Sequence, residues 1–261
     1  MTEIVKITHD EWISIAREKA RQKGYYFVDE LGYWQERDRE VFLKYHHPMK
    51  ILYIHGLSSS GSSSTADSLR HFLRDDTILS PDIPIDPQEA LTMLQELVER
   101  EGVDLVIGTS MGGMFAQMLR GYNKILVNPS FHISRSMRSK LGINKFFSAR
   151  ADGATQYEIT KELCDRYEEL ERTQFEGITD AEREITLGLF GIADDVVNCV
   201  DEYQQHYTRC ERFNGGHRLS EDNIKFTLLY DIEKYRESLR RLEVNHSGTP
   251  LLDQLRKARG L

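Results

Sequence analysis

The sequence has few cysteines, few prolines and no long apolar run, and each shortage excludes a class of protein. Its 261 residues include only 3 cysteines, widely spaced and without a C-x-x-C pair, which is typical of reduced thiols and not of a disulfide framework or a zinc site. With 6 prolines and 18 glycines the chain is neither collagen-like nor of low complexity. No apolar segment approaches the ~20 residues that span a bilayer. The first residues also lack a charged and then apolar leader pattern, so we expect a cytoplasmic protein without a membrane span.

Positive charge is also scarce. The chain has 34 Lys and Arg against 42 Asp and Glu, which gives a formal net charge of −8. A surplus of acidic residues argues against a nucleic-acid partner, because the phosphate backbone is bound through basic surfaces. At this length one hydrophobic core is enough for stability without disulfides or metals. Whether the chain forms a homo-oligomer is left open.

Short apolar runs alternate with amphipathic helical segments from residue 50 onward. This alternation predicts right-handed crossovers and a mostly parallel sheet flanked by helices, the α/β class. Residues 131–184 break the rhythm, and there we predict two or three helices and no strand, forming a small helical cap. The domain prediction is an N-terminal extension at 1–48 packed on the core, an α/β domain at 49–240 and a tail at 241–261. Strands are predicted at 51–54, 77–79, 105–107, 124–127, 185–190 and 209–213.

The segment Gly108-Thr109-Ser110-Met111-Gly112 has the form G-x-S-x-G between a predicted buried strand and a predicted helix. A serine on so sharp a strand-to-helix turn needs small neighbours, and the turn lifts its hydroxyl toward a substrate. The alternative is a glycine-rich turn with an idle serine. We favour a nucleophile, Ser110.

A serine hydroxyl needs a base to accept its proton, and a third group to orient that base. Among nine histidines, His217 follows Gly215-Gly216 directly after the last predicted strand, and His132 is the reserve candidate. The acid is expected after a strand between serine and histidine, where Asp194 and Asp195 lie side by side. The residues alone leave these two acids open.

An oxyanion hole completes this arrangement. Its donors are predicted to be the backbone N–H of Met111, which follows the nucleophile, and that of Leu57, in the turn His55-Gly56-Leu57. We expect His55 to orient this turn. The serine-rich run after it is expected to be an ordered loop that caps the next helix.

Charge is unevenly distributed in the cap segment. Residues 131–150 contain five basic and no acidic residues, whereas 152–184 contain eleven acidic and four basic residues. One interpretation is that the two stretches pair with each other or face water. The other is that Arg135 and Arg138 bind and steer an anionic substrate at the rim of the site.

These motifs, in this order, resemble the YqiA-type esterases of the α/β-hydrolase superfamily over about residues 50–240. The resemblance rests on five segments: Tyr53-Ile54-His55-Gly56 with the serine-rich loop, Leu105 to Gly113, Val127-Asn128-Pro129, Asp194-Asp195-Val196-Val197 and Gly215-Gly216-His217. It implies the α/β-hydrolase fold and a hydrolase of carboxylic esters or acyl thioesters without a cofactor. Within the superfamily, the G-x-x-D-x-V-V form favours Asp194 as the acid.

The function predicted from the sequence is therefore an esterase- or thioesterase-type serine hydrolase that works through Ser110, His217 and Asp194. Its partner is a small acyl ester or thioester. Two alternatives stay open: a catalytically silent binding or scaffold protein on a hydrolase fold, and a peptidase or acyltransferase with the same three residues.

Overall fold

A computed structural model describes residues 48–245 of the chain. The extension before residue 48 and the tail from residue 246 lie outside the described residues, so the domain prediction stays a prediction. Within the described part, no helix is both long and apolar enough to cross a membrane. The elements in chain order are β1 (Lys50–Ile54), α1 (Ser64–Phe72), β2 (Thr77–Leu79), α2 (Pro87–Glu101), β3 (Leu105–Thr109), α3 (Met111–Met118), β4 (Asn123–Val127), α4 (Ile133–Arg138), β5 (Gly142–Lys145), β6 (Gln156–Ile159), α5 (Lys161–Thr173), α6 (Asp180–Glu184), β7 (Thr186–Gly191), α7 (Val200–His206), β8 (Arg209–Phe213), α8 (Glu221–Asn223), a π-helical turn (Ile224–Leu228) and α9 (Leu229–Asn245).

Six strands form one parallel sheet in the order β2–β1–β3–β4–β7–β8. In its centre, Ile107 of β3 lies between Tyr53 of β1 and Ile125 of β4. Because the strands all run the same way, their carboxyl ends meet at one edge, where open α/β sheets place their ligands. The predicted α/β class and parallel sheet are confirmed.

Helices cover both faces of this sheet, which explains why its strands are continuous apolar runs in the sequence. In β1, Leu52 and Ile54 belong to the core on one face, and Ile51 and Tyr53 to the core on the other. All four side chains are buried. Helix α2 packs on the first core through Ala90, Leu91, Leu94 and Val98.

The cap segment, residues 131–184, differs from its prediction because two strands lie between α4 and α5. Strands β5 and β6 pair antiparallel along their whole length. In β6, Tyr157 and Ile159 are buried while Gln156 and Glu158 are exposed. Four alternating residues are too few to be distinguished from the helical periodicity on either side. The prediction of a purely helical cap was therefore wrong: the segment combines helices with a β-hairpin.

A buried ion pair ties the amino end of β4 to helix α6. The side chains of Lys124 and Glu182 are almost fully buried, and the Lys124 ammonium donates to a Glu182 carboxylate oxygen. Burial lowers the pKa of Lys124 to about 8, because the loss of solvation outweighs the attraction of Glu182. The other Glu182 oxygen accepts the Gly121 N–H. The pair therefore places two mutually dependent charges in the protein interior.

Candidate active site

Ser110 lies on a sharp turn between β3 and α3 with a backbone conformation that is rare outside glycine. Its φ and ψ are 54° and −120°. The surrounding chain holds this conformation: the Ser110 N–H donates to the Val127 carbonyl at 3.0 Å, and its carbonyl accepts the Ser130 N–H at 3.0 Å. Strain kept by neighbouring hydrogen bonds is a common property of functional turns. The end of β4 therefore fixes the position of the Ser110 side chain.

The two glycines of the G-x-S-x-G motif allow β1, β3 and α3 to approach closely. A Cβ added at Gly112 would lie 2.0 Å from the Ile54 carbonyl oxygen, and one at Gly108 would lie 2.2 Å from the Gly112 carbonyl oxygen. Neither distance leaves room for a methyl group. The motif is thus a packing requirement of this turn as much as a chemical signature.

His217 connects Ser110 to Asp194. Its Nε2 lies 3.0 Å from Ser110 Oγ, and its Nδ1 lies 2.9 Å from Asp194 Oδ2. The second oxygen of Asp194 accepts the backbone N–H groups of Val196 and Val197, each at 2.9 Å. The structure thus brings Asp194 into this arrangement, whereas the Asp195 side chain is exposed. With the proton on Nδ1 held by the carboxylate, the free Nε2 lone pair faces the serine hydroxyl.

The loop after β1 approaches Ser110 closely at Gly56. A Cβ at Gly56 would lie 3.2 Å from Ser110 Cβ, so only glycine fits without displacing the serine. Within the described part of the chain, neither the Leu57 nor the Met111 backbone N–H donates a hydrogen bond to another group. Both N–H groups are therefore without an acceptor among the described residues, and the oxyanion hole itself stays a prediction.

The hairpin of the cap segment holds this loop. Ser58 follows Leu57 and has a φ of 63°. Its carbonyl accepts the Phe147 N–H at 2.8 Å, and its hydroxyl lies 2.6 Å from the Tyr157 hydroxyl. The main chain and the side chain of Ser58 are thus both attached to the hairpin.

His55 orients the same loop from within the core. Its side chain is buried, and burial lowers the pKa of its imidazole. Nε2 accepts the Ile83 N–H at 3.2 Å, so Nδ1 carries the proton and donates to the Gly56 carbonyl at 2.9 Å. This is the orienting role expected from the sequence.

The side chain of Asn128, directly after β4, was not predicted to belong to the site. Its Nδ2 donates to the carbonyls of Gly216 and His217, each at 3.0 Å, and its Oδ1 accepts the Gly191 N–H at 2.8 Å. The only sequence signal was its place in the Val127-Asn128-Pro129 segment that carries the family resemblance. Contacts across 63 and 89 residues leave no local pattern.

The remaining candidates make contacts elsewhere. The reserve histidine, His132, directs Nε2 to the Glu202 carboxylate at 2.9 Å. Arg138 pairs with Asp165 at 2.6 Å and Glu168 at 2.5 Å, both on α5. These pairs are the mutual pairing of the basic and acidic stretches that the sequence allowed. Arg135 is exposed on α4, and a substrate contact of Arg135 or Arg138 stays a prediction.

Exposed apolar side chains adjoin the site, and sequence reasoning missed them too. Ile192 and Val196 flank Asp194 and are 63% and 62% exposed, and Phe147 is 70% exposed beside Ser58. The Arg218 guanidinium, one residue after His217, lies 5.0 Å from the centre of the Phe147 ring. The loops around Ser110 therefore present both apolar surface and a cation.

Comparison with known proteins gives the chain a family. The model of an uncharacterised protein family, UPF0227, matches residues 50–218, which is more than half of the chain and spans the site. The chain belongs to UPF0227. This membership confirms the resemblance to the YqiA-type esterases that the motifs indicated.

Solved structures similar to this UPF0227 chain share its fold. A monoacylglycerol lipase from Paleococcus ferrophilus aligns with a TM-score of 0.54 and 12% identity, covering 74% of this chain and 96% of that one. A structure from work on LipS and LipT, two metagenome-derived lipolytic enzymes, aligns with a TM-score of 0.50 and 14% identity, covering 74% of this chain and 95% of that one. Est1E from Butyrivibrio proteoclasticus aligns with a TM-score of 0.50 and 14% identity, covering 74% of this chain and 87% of that one. At such identities the likeness concerns the fold alone, and it confirms the expected α/β-hydrolase fold.

Proposed function

We propose that this protein is a serine hydrolase that cleaves carboxylic esters or acyl thioesters. The observation that carries the proposal is the position of His217, within hydrogen-bonding distance of both Ser110 Oγ and Asp194 Oδ2. A nucleophile, a base and a group that orients the base are the minimum set for nucleophilic acyl transfer.

In the proposed reaction, Ser110 Oγ attacks the acyl carbon while His217 Nε2 takes the hydroxyl proton. Asp194 stabilises the resulting imidazolium through Nδ1. When the tetrahedral intermediate collapses, the bond to the leaving oxygen or sulfur breaks, and His217 returns the proton to that atom. Water then attacks the acyl-enzyme with His217 as base, which releases the acid and restores Ser110.

The backbone N–H groups of Leu57 and Met111 are the proposed oxyanion donors. Each has no competing acceptor in the described part of the chain; Met111 directly follows Ser110, and Leu57 follows Gly56, where an added Cβ would lie 3.2 Å from Ser110 Cβ. A donor of this kind contributes about 3 kcal/mol to lowering the barrier. Fixed backbone donors keep their orientation during the reaction, which is the condition for such a contribution.

The surroundings of the site favour an apolar acyl or alkyl group in the substrate. Ile192, Val196 and Phe147 keep most of their side-chain surface exposed next to the proposed catalytic residues. Covering such surface with substrate gains roughly 25 cal/mol per Å². Ser110, His217 and Asp194 would act in the same way on an oxygen and on a sulfur leaving atom, so these residues do not select between esters and thioesters. Rates on a panel of esters and thioesters of varied chain length would show which class is the better substrate.

The proposal is tested with a fluorophosphonate probe and an aryl ester. We expect the wild type to be labelled and to turn over the ester, and Ser110→Ala to lose both while keeping its melting temperature. Ser62→Ala, which removes an exposed hydroxyl from the loop after β1, is the matched control and should retain both. A wild type that is neither labelled nor active would favour the binding or scaffold alternative. Transfer of the acyl group to an added alcohol in preference to water would favour the acyltransferase alternative.

A further inference from the structure

We infer that Asn128 is a positioning residue that sets the place of the His217 imidazole relative to Ser110 and Asp194. This inference rests on the proposed function, since it concerns the same three residues. Asn128 follows β4, which lies in the sheet between β3 and β7. Four adjacent strands, β3, β4, β7 and β8, are thus followed in turn by the loops that carry Ser110, Asn128, Asp194 and His217.

The Asn128 amide joins two of these loops to each other. Its Nδ2 donates to the carbonyls of Gly216 and His217, and its Oδ1 accepts the N–H of Gly191, the last residue of β7. Three bonds of 2.8 to 3.0 Å fix the amide orientation, because a flipped amide would place a donor against the Gly191 N–H and an acceptor against two carbonyls. The strand that precedes Asp194 is thereby connected directly to the backbone of His217.

The backbone of Asn128 is suited to this task. Its φ is 44°, in the left-handed region that asparagine tolerates better than most residues other than glycine. Its own N–H donates to the Leu189 carbonyl of β7 at 2.9 Å. Main chain and side chain therefore both contact β7 or its end, and the amide reaches past this strand to the histidine loop.

Few other bonds hold the histidine loop. The Gly215 carbonyl accepts the Ala193 N–H at 2.9 Å, and the Asn214 carbonyl accepts Asn223 Nδ2 at 2.9 Å. For the next two carbonyls, those of Gly216 and His217, Asn128 is the one donor among the described residues. Loss of its amide would release the loop at the histidine itself.

Asn128 acts through His217 and not on a substrate, because its side chain is only 2% exposed. Displacing a catalytic group by about 1 Å can cost roughly a hundredfold in rate. Removal of the amide should therefore lower kcat while leaving KM nearly unchanged. A merely structural role would instead lower the melting temperature and leave kcat per folded molecule as it is.

Two substitutions isolate the amide. Asn128→Gly keeps access to the left-handed backbone and removes the side chain. Asn128→Asp keeps the size and the acceptor for the Gly191 N–H, but replaces the donor that faces Gly216 and His217 by an oxygen. Asn123→Asp is the matched control, since Asn123 begins the same strand and its amide donates to the Tyr235 hydroxyl at 2.8 Å.

The experiment measures aryl-ester kcat and KM, well below each melting temperature. Both Asn128 variants are expected to lose about ten- to a hundredfold in kcat with KM changed less than about twofold. Asn123→Asp is expected to keep wild-type kcat. If Asn128→Gly does not fold, Asn128→Asp carries the test.

Wild-type kcat in a folded Asn128 variant would overturn the positioning role, and so would an equal loss of kcat in Asn123→Asp. Neither result touches the proposed function, which stands on the labelling and activity lost in Ser110→Ala. A wild type without turnover would overturn both together.

Discussion

Replacing Asp194 by asparagine should inactivate the protein by changing the tautomer of His217. The backbone N–H groups after Asp194 determine which way the asparagine amide is oriented, and this orientation sets the tautomer. Asp194 Oδ1 accepts two backbone N–H groups, from Val196 and Val197, while Oδ2 accepts the His217 Nδ1 proton. In Asp194→Asn only one of the two positions can keep an oxygen. Placing the amide NH2 toward the two N–H groups would set a donor against two donors and lose both hydrogen bonds, whereas the amide oxygen in that position keeps both.

The asparagine oxygen will therefore stay with the two backbone donors, and its NH2 group will face His217. It then donates to Nδ1, which moves the imidazole proton to Nε2. Nε2 lies 3.0 Å from Ser110 Oγ, so the hydroxyl meets a donor where it needs an acceptor. We expect kcat to fall by about 10³–10⁴-fold, equivalent to roughly 4–5 kcal/mol of barrier, with little change in fold.

Steady-state hydrolysis of an aryl ester measures this loss, and circular dichroism and thermal melting show whether Asp194→Asn is folded. Asp195→Asn is the matched control, because Asp195 is exposed and none of the hydrogen bonds of the site involves its side chain. It should keep kcat within about twofold of the wild type. A folded Asp194→Asn with a tenth or more of wild-type kcat, or a larger loss in Asp195→Asn, would refute the reasoning.

Two further predictions concern stability. Glu182→Gln leaves the buried ammonium of Lys124 without its carboxylate and should lower the free energy of unfolding by about 3–5 kcal/mol in urea titrations. Adding Lys124→Met should recover most of this loss, and a double variant no better than Glu182→Gln would contradict the coupling. Burial raises the pKa of Asp231 although Lys234 donates to its Oδ1, and its Oδ2 has no hydrogen-bond partner among the described residues. The folded state therefore binds the proton more tightly, and stability falls as pH rises through the ordinary range of the carboxyl and above it. Asp231→Asn should therefore be more stable than the wild type in urea titrations at pH 7, with the gain disappearing near pH 3; a gain independent of pH would refute this cause.

The nucleophile turn could be predicted from the sequence because steric constraint leaves a local mark. Positions 108 and 112 require glycine because each lies against a backbone carbonyl at a distance that excludes any side chain. The same holds for the parallel strands, whose burial on both faces requires continuous apolar runs. Constraints of this kind act on residues that are adjacent in the sequence, so they can be recognised from a short segment.

The choice between Asp194 and Asp195 could not be made from the residues themselves. Which of two adjacent side chains points inward depends on the loop backbone, and that is set by long-range bonds such as the one from the Ala193 N–H to the Gly215 carbonyl. The contacts of Asn128 are equally remote in sequence. The hairpin was missed for a different reason, since its strands of four residues carry too little periodic signal.

The attachment of Ser58 to the β5–β6 hairpin has a mechanical consequence. Replacing residues 146–155 by a loop of different length would leave the six sheet strands intact but remove the bond from the Phe147 N–H to the Ser58 carbonyl, so that the Tyr157 hydroxyl alone of these two contacts would hold Ser58 to the hairpin. Variation in this loop is therefore expected to shift the proposed oxyanion donor Leu57, and with it the rate of the proposed reaction, without any change in Ser110, His217 or Asp194. Differences in rate among related chains should therefore be sought first in residues 146–155.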